Sequence, residues 1–452
     1  MAVIAQEPGI PTQTHAEVTR DVVRTITEKP TTGYYILAGS MAALVLLLFG
    51  TFAALLKYGL GLAGYSPPIM WSVYITTFVF WIGIGHAGTL ISAILFLFRS
   101  RWRTAVYRST EAMTVFAVMT AGLFPIIHIG RQWIFYWLIP YPNQRFLWPN
   151  FKSPLLWDVF AISTYLTVSA TFLVVGLVPD VAAVRDHVSG WKKKVYSALS
   201  LGWTGADSQW RHYSRAYLYL AALATPLVLS VHSVVSWDFA MSIIPGWRGT
   251  IFAPYFVGGA IYSGIGMVLT LIIPLRKVLR IEHMITDYHF DNLSKLLLLT
   301  GCIMFYSYSM EYYNAWYGGN PVEQTTFWLR AFGPYWWGGW IMIICNALVG
   351  QLLWFKKIRT NLTSLFVISI FINIGMWFER WEIIAVSLAN DYDPYAWGRI
   401  NPTWADWCIL AGSFGWFGLW FTLFYKNFPI VAIQEVKELI PLARRSSHAE
   451  AH

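Results

Sequence analysis

The sequence predicts an all-α integral membrane protein with ten transmembrane helices. Its 452 residues are 56% hydrophobic and only 12% charged, whereas a soluble domain usually contains about 25% charged residues. The mean hydropathy is positive, at +0.49. Ten segments are also long and apolar enough to cross a bilayer, which takes about 20 residues. These three observations exclude an ordinary soluble fold.

The ten predicted spans cover most of the chain. In order, they are Tyr34–Leu56, Met70–Leu97, Met113–Trp137, Leu155–Val178, Arg215–Trp237, Phe252–Leu275, Leu296–Tyr313, Tyr335–Trp354, Leu362–Ile384 and Trp404–Tyr425. An even number of spans leaves both termini on one side. Lys and Arg favour that side by about three to one, which predicts cytoplasmic termini and a multi-pass protein.

The net charge of +9 is therefore a topology signal, and no nucleic-acid partner is expected. The basic cytoplasmic loops are explained by contact with anionic membrane lipid. The outward loops, for example residues 141–143, are rich in Tyr, Trp, Pro and Gly. An aromatic belt explains part of this composition, and a docking surface for an external partner is the alternative.

Both ends of the chain are polar. Residues 1–33 lack the apolar core of a signal peptide, so we expect a cytoplasmic arm on a neighbouring element, with a disordered tail as the alternative. After Pro429, the residues Val431, Ile433, Val436 and Leu439 recur at helical spacing. Residues 428–452 are therefore predicted as a cytoplasmic amphipathic tail at the membrane interface.

A weak internal repeat predicts how the spans are grouped. The segment Gly83-Ile84-Gly85-His86 resembles Gly264-Ile265-Gly266-Met267, and the starts of spans 4 and 8 correspond at nearly the same spacing. Parallel repeats build many membrane proteins, although glycine-rich helices also match by chance. The repeat predicts two four-helix bundles in the same orientation, at residues 67–240 and 250–388. Flanking transmembrane helices lie at residues 34–58 and 403–427.

Ionisable side chains in hydrocarbon are costly and therefore mark candidate sites. Five of them lie towards the outer ends of spans 3, 4 and 5: His128, Arg131, Asp158, His232 and Asp238. A carboxylate or neutral imidazole can accept the hydroxyl protons of a quinol as electrons leave, and the surrounding apolar residues suit the ring and tail. Taken singly, each has a structural alternative, namely a backbone-bonded histidine, a helix cap, a snorkelling arginine or a loop aspartate. Their convergence favours a quinol site.

A second set of ionisable residues leaves its role open. Glu311 lies on span 7 and Glu379-Arg380 on span 9, again towards the outer ends. They form either a structural ion pair or a proton route. His86, near the middle of span 2, either relays protons or bonds a helix carbonyl.

Five groups of residues follow one another along the chain. They are Phe124-Pro125 with His128-Gly130-Arg131, Pro154 with Trp157-Asp158, Ser230 to Asp238, Met310-Glu311-Tyr312 with Ala315-Trp316-Tyr317, and Asn373-Gly375-Met376-Trp377 with Glu379-Arg380. These motifs resemble those of the polysulfide reductase/NrfD-type family of quinone-reactive membrane subunits. The closest resemblance is to the ActC-type subunit of bacterial alternative complex III. It extends over spans 1–10.

The resemblance implies a membrane subunit of a respiratory or photosynthetic electron-transfer complex in the bacterial cytoplasmic (inner) membrane. Such a subunit oxidises menaquinol or a similar quinol near the outer (periplasmic) face. Electrons pass to an external iron–sulfur subunit and on to haem c subunits, beside a second homologous membrane subunit. The resemblance also implies a proton-translocating path and no haem or iron–sulfur cluster in this chain. The lone cysteines Cys302, Cys345 and Cys408 form no CxxC pattern, which independently argues against a bound cluster or structural zinc.

The resemblance also assigns roles to residues. His128, Asp158 and Asp238 are the expected catalytic residues in contact with quinol, and Arg131 and His232 support them. The expected proton-path residues are His86, Glu311, Glu379 and Arg380.

Three alternatives stay open. Family members also reduce quinone, so the chain could be the membrane anchor of a molybdopterin or hydrogenase-type oxidoreductase. A haem b cytochrome would need facing histidine pairs, and His128 and His232 could form only one. A secondary transporter would fit ten spans and a repeat, but its polar groups would usually gather at the midplane.

Overall fold

A computed structural model describes residues 13–138, 151–247, 249 and 251–440. Within these ranges the regular structure is helical, with one isolated bridge between Ser66 and Ile69 and no named strand. The predicted outward loop at residues 141–143 and the outermost parts of the two predicted tails lie outside the described residues. The described part of the chain confirms the all-α fold.

Fourteen helices are numbered here in chain order, and ten of them are long and apolar enough to cross a membrane, which confirms the ten predicted spans. The fourteen are α1 (His15–Thr27), α2 (Thr32–Tyr58), α3 (Val73–Leu97), α4 (Tyr107–His128), α5 (Pro154–Arg185), α6 (Gly190–Leu199), α7 (Asp207–Ala240), α8 (Phe252–Leu279), α9 (Asp287–Tyr317), α10 (Pro321–Phe332), α11 (Trp336–Trp354), α12 (Leu362–Ala389), α13 (Trp404–Asn427) and α14 (Ile433–Leu439). The spanning helices are all of these except α1, α6, α10 and α14.

The predicted boundaries of span 3, Met113–Trp137, were wrong at both ends. The helix α4 begins at Tyr107 and ends at His128. Gly130 then adopts a φ of +76°, a left-handed conformation that favours glycine and ends a helix. A 3₁₀ turn, Gln132–Leu138, follows. Arg131 therefore lies beyond the helix rather than on it.

Other spans extend past their apolar runs. The helices α5, α7 and α9 each include polar residues that the predicted spans left out, such as Arg185 and Asp207. Hydropathy marks the part of a helix that lies in hydrocarbon, whereas hydrogen bonding continues the helix into the headgroup region.

Close backbone contacts hold the spans together. Helix α3 packs on α4 and α8, α5 on α7, and α8 on α9 and α12. At the crossing of α3 and α8, a Cβ placed on Gly264 would lie 2.8 Å from the carbonyl oxygen of Ile84. Small residues let membrane helices approach this closely. The grouping into two parallel bundles at residues 67–240 and 250–388 stays a prediction.

The helices α2 and α13 pair with each other, and α1 and α14 pack together beside them. Both described ends of the chain lie on one side of the helix array, which we call the terminal side. The opposite side is called the distal side. The candidate site residues Asp158, Asp238 and His128 all lie at distal ends of their helices.

Candidate functional site

Two carboxyl groups meet at the distal ends of neighbouring helices. Asp158 lies near the start of α5, where Pro154 occupies the first turn, and Asp238 lies near the end of α7. Their side chains are within hydrogen-bonding range of each other. Asp158 is buried, at 7% exposure, and one oxygen of each carboxyl group is buried without a hydrogen-bond partner. We call Asp158 and Asp238 the carboxyl pair.

Aromatic rings border the carboxyl pair along the chain. Trp157 and Trp237 precede the two aspartates and pack edge to face, with ring centroids 6.0 Å apart. The indole nitrogen of Trp157 donates a hydrogen bond to the carbonyl oxygen of Phe151, at 2.7 Å. The tryptophans that precede the two aspartates therefore pack against each other, and one oxygen of each carboxyl group is left without a partner.

His128 ends α4 on the same side of the membrane. Its ring packs edge to face on Tyr65, with centroids 5.3 Å apart, and its Nδ1 atom has no hydrogen-bond partner. Burial raises the pKa of the Tyr65 phenol well above its usual value, so this neighbour stays protonated. The buried Gln132, which follows the helix end, also has an unpartnered side-chain oxygen.

Arg131 is exposed just past the end of α4. A Cβ at the adjacent Gly130 would lie 2.8 Å from a methyl carbon of Leu60. Gly130, which packs closely on Leu60, lies in the chain between the exposed Arg131 and the half-buried His128. Of the two, His128 has the more suitable environment for contact with an apolar substrate.

His232 has a different neighbour from the one its sequence position suggests. It lies six residues before Asp238 on α7, which is about 9 Å deeper along the helix axis. Its ring contacts His86 of α3 at a centroid distance of 4.5 Å. Both histidines are fully buried, and both ring nitrogens of His232 lack hydrogen-bond partners. We call His86 and His232 the histidine pair.

Hydroxyl groups continue from the histidine pair towards the terminal side. The Nδ1 atom of His86 is 2.7 Å from the carbonyl oxygen of Ile82, and its ring lies 5.2 Å from that of Tyr165. The hydroxyl groups of Tyr165 and Thr89 are 2.8 Å apart. A π-helical turn begins at Leu90, and such turns often occur at functional sites.

The second predicted set contains a buried ion pair. Arg380 of α12 pairs directly with the adjacent Glu379, and both are essentially inaccessible to solvent. The hydroxyl group of Tyr308 donates to Glu379 at 2.5 Å, and the side-chain nitrogen of Asn346 donates to Tyr308 at 2.9 Å. Of the two interpretations of Glu379 and Arg380, a structural ion pair or a proton route, direct contacts support the ion pair.

Phe256 of α8 connects this ion pair with the histidine pair. The guanidinium carbon of Arg380 lies 4.9 Å from the Phe256 ring centroid. The His232 ring lies 5.8 Å from the same centroid. The ion pair, through Arg380, and the histidine pair, through His232, therefore both contact the ring of Phe256.

Glu311 belongs to a second group of charges on the distal side. The side chain of Arg330 lies within electrostatic range of both Glu311 and Glu382. Glu382 is 1% exposed, and neither of its oxygens has a hydrogen-bond partner. Arg330 also donates to the Ser387 hydroxyl at 2.7 Å. The sequence interpretation missed Arg330 and Glu382, although Glu382 lies one helical turn beyond Glu379.

A buried charge network on the terminal side was also missed. Arg108 contacts Glu111 at 2.8 Å and Asp180 at 3.1 Å. Arg103 contacts Glu435 of α14 at 2.7 Å. Lys and Arg near the terminal-side ends of the spans were interpreted as topology signals. The one signal of this network in the sequence was the three-residue spacing of Arg108 and Glu111, which puts both side chains on one face of a helix.

Among the described residues, no three His, Cys, Asp or Glu side chains gather closely enough to hold a metal ion. The direct ring contact of His86 and His232 also leaves no room for a porphyrin plane between them.

Comparisons with known proteins give the chain relatives. Residues 61–390 match the model of a family described as polysulphide reductase, NrfD. The chain is also 28% identical over 235 residues to a protein of Halobacterium salinarum described as a putative membrane subunit of dimethyl sulfoxide reductase. That alignment covers 52% of this chain and 50% of the relative, so it spans about half of that curated relative.

Proposed function

Because this chain belongs to the NrfD polysulphide reductase family, in which membrane subunits interact with quinones, we propose that it exchanges protons and electrons with a quinone on its distal side. The observation that supports this most is the carboxyl pair. The buried Asp158 and the half-buried Asp238 lie in contact, and each has one buried oxygen without a partner. Carboxyl groups are costly in hydrocarbon, so their presence there indicates a functional site.

The chemistry we propose for the carboxyl pair is proton transfer. Two buried carboxylates side by side repel each other, so such a pair shares a proton rather than carrying two full charges. An ionised member can accept a hydroxyl proton from a quinol, and a protonated member can return it to a quinone. We propose Asp158 and Asp238 as the catalytic residues, with His128 as the third group in contact with the ring. Arg131 and His232 act in support.

We propose quinol oxidation as the direction of the reaction, with menaquinol as substrate. On this proposal the distal side faces the periplasm and both termini are in the cytoplasm of a bacterial cell. An external iron–sulfur subunit takes the electrons and passes them to haem c subunits, and a second homologous membrane subunit completes the complex. The resemblance to the ActC-type subunit supports these assignments, and the charge distribution of the loops supports the sidedness.

A second candidate function is a quinone-reducing membrane anchor. The similarity to a putative dimethyl sulfoxide reductase membrane subunit favours it. The two functions differ in the subunits that accompany the chain. Purification from native membranes with partners retained would give c-type haem absorbance for the first function, and a molybdopterin-containing subunit for the second.

We propose a proton path through the protein that begins at the histidine pair. The ring contact of His86 and His232 and the hydroxyl groups of Tyr165 and Thr89 support it. Glu311, Glu379 and Arg380 are proposed as further proton-path residues in the other half of the fold. His232→Gln should lower kcat by about a hundredfold, the lower end of what a proton-transfer group contributes, and leave KM for quinol unchanged. A raised KM with normal kcat would limit His232 to its supporting role at the quinol site and exclude it from the proton path.

Turnover of the native complex tests the proposal directly. Asp158→Asn removes a proton acceptor with little change in shape, so we expect quinol-dependent electron transfer to fall by at least about a hundredfold. The matched control is Asp207→Asn, because Asp207 is an exposed aspartate at the terminal end of α7. Normal turnover in Asp158→Asn, with the complex assembled, would refute the role of the carboxyl pair.

A further inference from the structure

A deep apolar groove separates the helix pair α2 and α13 from α8 and α12. Its volume is about 880 Å³, which is at the upper end of the range for small-molecule sites. Phe80 of α3 forms part of its floor, and Met41, Leu271 and Phe414 are among its walls. The groove is separate from the carboxyl pair, since neither Asp158 nor Asp238 lines it.

The groove is a fixed feature because glycines lock α2 onto α13. A Cβ at Gly412 would lie 2.6 Å from Cβ of Leu48, and one at Gly418 would lie 2.6 Å from the sulfur of Met41. This contact holds α2 beside α13. The same contact leaves α2 too far from α8 and α12 to fill the space between them.

The groove opens towards the membrane. Three of its lining residues, Leu37, Val278 and Ile374, remain 41%, 64% and 44% exposed. Water is absent from the hydrocarbon core, so an apolar recess there must be filled by chains of comparable polarity. The occupant therefore has a flexible hydrocarbon portion.

The terminal mouth of the groove is positively charged. Thr31 and Val278 line this end, and the exposed cations Lys29, Lys277 and Arg280 are their close neighbours in the chain. The acidic side chains nearest to these cations in the sequence are Glu28, which lies 3.9 Å from Arg24, and the exposed Glu282, which lines a neighbouring recess together with Lys277. Cations at the headgroup level attract anionic lipid.

We propose that this groove binds an anionic phospholipid, with an acyl chain against Leu271 and Met41 and its phosphate at the terminal mouth beside Lys277. The lipid would bridge the flanking pair α2 and α13 to the rest of the protein. This proposal is independent of the quinone reaction, because it involves neither the carboxyl pair nor the histidine pair.

A quinone with a long isoprenoid chain is the competing occupant. The groove continues past the middle of the membrane to Trp407. At mid-depth, the side-chain oxygen of Asn373 has no hydrogen-bond partner, while its nitrogen donates to Ser369 and Thr270 at 2.9 and 3.2 Å. A quinol hydroxyl could donate to that oxygen, whereas an acyl chain could not. The charged mouth favours the phospholipid.

Photocrosslinking of the native complex in nanodiscs tests the proposal. The probes are phosphatidylglycerol and phosphatidylcholine, each with a diazirine on one acyl chain, in a phosphatidylcholine background. We expect phosphatidylglycerol to label peptides of α8 and α13 that line the groove more strongly than phosphatidylcholine does. Equal labelling by the two lipids would overturn the proposal.

Matched variants make the test specific. Lys277→Gln should lower phosphatidylglycerol labelling about fivefold, the factor for one Lys near a membrane surface, whereas Lys193→Gln on α6 should not. Leu271→Trp should block labelling by filling the groove, whereas Leu46→Trp, on the exposed face of α2, should not. If an azidoquinone labels the groove instead and Asn373→Ala abolishes that labelling, the occupant is a quinone and the phospholipid proposal is wrong.

Discussion

Asp158 and Asp238 place their carboxyl groups side by side at the distal ends of α5 and α7. The two helices pack along much of their length, so the contact is held by the fold and not by a flexible loop. In the proposed chemistry, the two side chains share one proton. They should therefore behave as one unit in any reaction they support.

The first prediction concerns this unit. Asp238→Asn should lower quinol turnover by about as much as Asp158→Asn, and the double variant should be little worse than either, because residues that act together have non-additive effects. The measurement is kcat/KM for quinol in the assembled complex. Effects that multiply in the double variant would show that the two carboxyl groups act separately.

The buried ion pair of Glu379 and Arg380 should contribute to stability. Arg380→Met leaves Glu379 as an unpaired buried charge, which costs about 3–5 kcal/mol, so the midpoint of thermal unfolding in detergent should drop. Glu379→Gln combined with Arg380→Met removes both charges and should recover most of the loss. A double variant as unstable as Arg380→Met would contradict the pairing.

The contact between Arg103 and Glu435 should fasten α14 to the membrane domain. The side chains of Arg103 and Glu435 are only 5% and 12% exposed, and the hydroxyl group of Tyr107 also donates to Glu435 at 2.8 Å. We predict that Glu435→Gln speeds amide hydrogen exchange in residues 433–439 by about a hundredfold, as the loss of a buried pair worth about 3 kcal/mol would.

The control for the α14 contact is an exposed ion pair on the same side. Asp186 contacts Arg185 at 2.9 Å but is 60% exposed, and exposed pairs contribute about 0–1 kcal/mol. Asp186→Asn should therefore leave exchange in α14 unchanged. If both variants loosen α14 equally, the effect is one of general charge and not of the Arg103 contact.

The crossing of α3 and α8 should tolerate no larger side chain. Gly264→Leu places carbon atoms against the backbone of Ile84 and Ala87, and overpacking of this kind costs about 1–3 kcal/mol or more. We expect a lower unfolding temperature and poor assembly. Gly39→Leu on α2, where no atom lies within 4 Å of the added carbon, should behave like the wild type.

The ten spans could be predicted from the sequence because the bilayer imposes both length and composition on a spanning helix. Helix ends were harder to predict. The end of α4 depends on the positive φ of Gly130, and Arg131 was placed on a helix that had already finished. Polar residues such as Asp207 continue a helix beyond the apolar run, so hydropathy alone does not locate the boundary.

The depth of Asp158 and Asp238 was predictable from the sequence, whereas the depth and the partner of His232 were not. Position along a span gives the depth of Asp158 and Asp238, which the structure brings together. The partner of His232 depends on which face of α7 it lies on and on the course of α3, and no sequence spacing predicted its contact with His86. Contacts between distant segments, such as Arg103 with Glu435, have no local pattern at all.

Photoaffinity labelling of the native complex with an azidoquinone is the most direct test of the central claim, that a quinone reacts at the carboxyl pair. The account predicts labelled peptides from the distal ends of α4, α5 and α7, with labelling suppressed by excess quinone and weakened in Asp158→Asn. Labelling confined to other parts of the protein, with unchanged yield in Asp158→Asn, would contradict it.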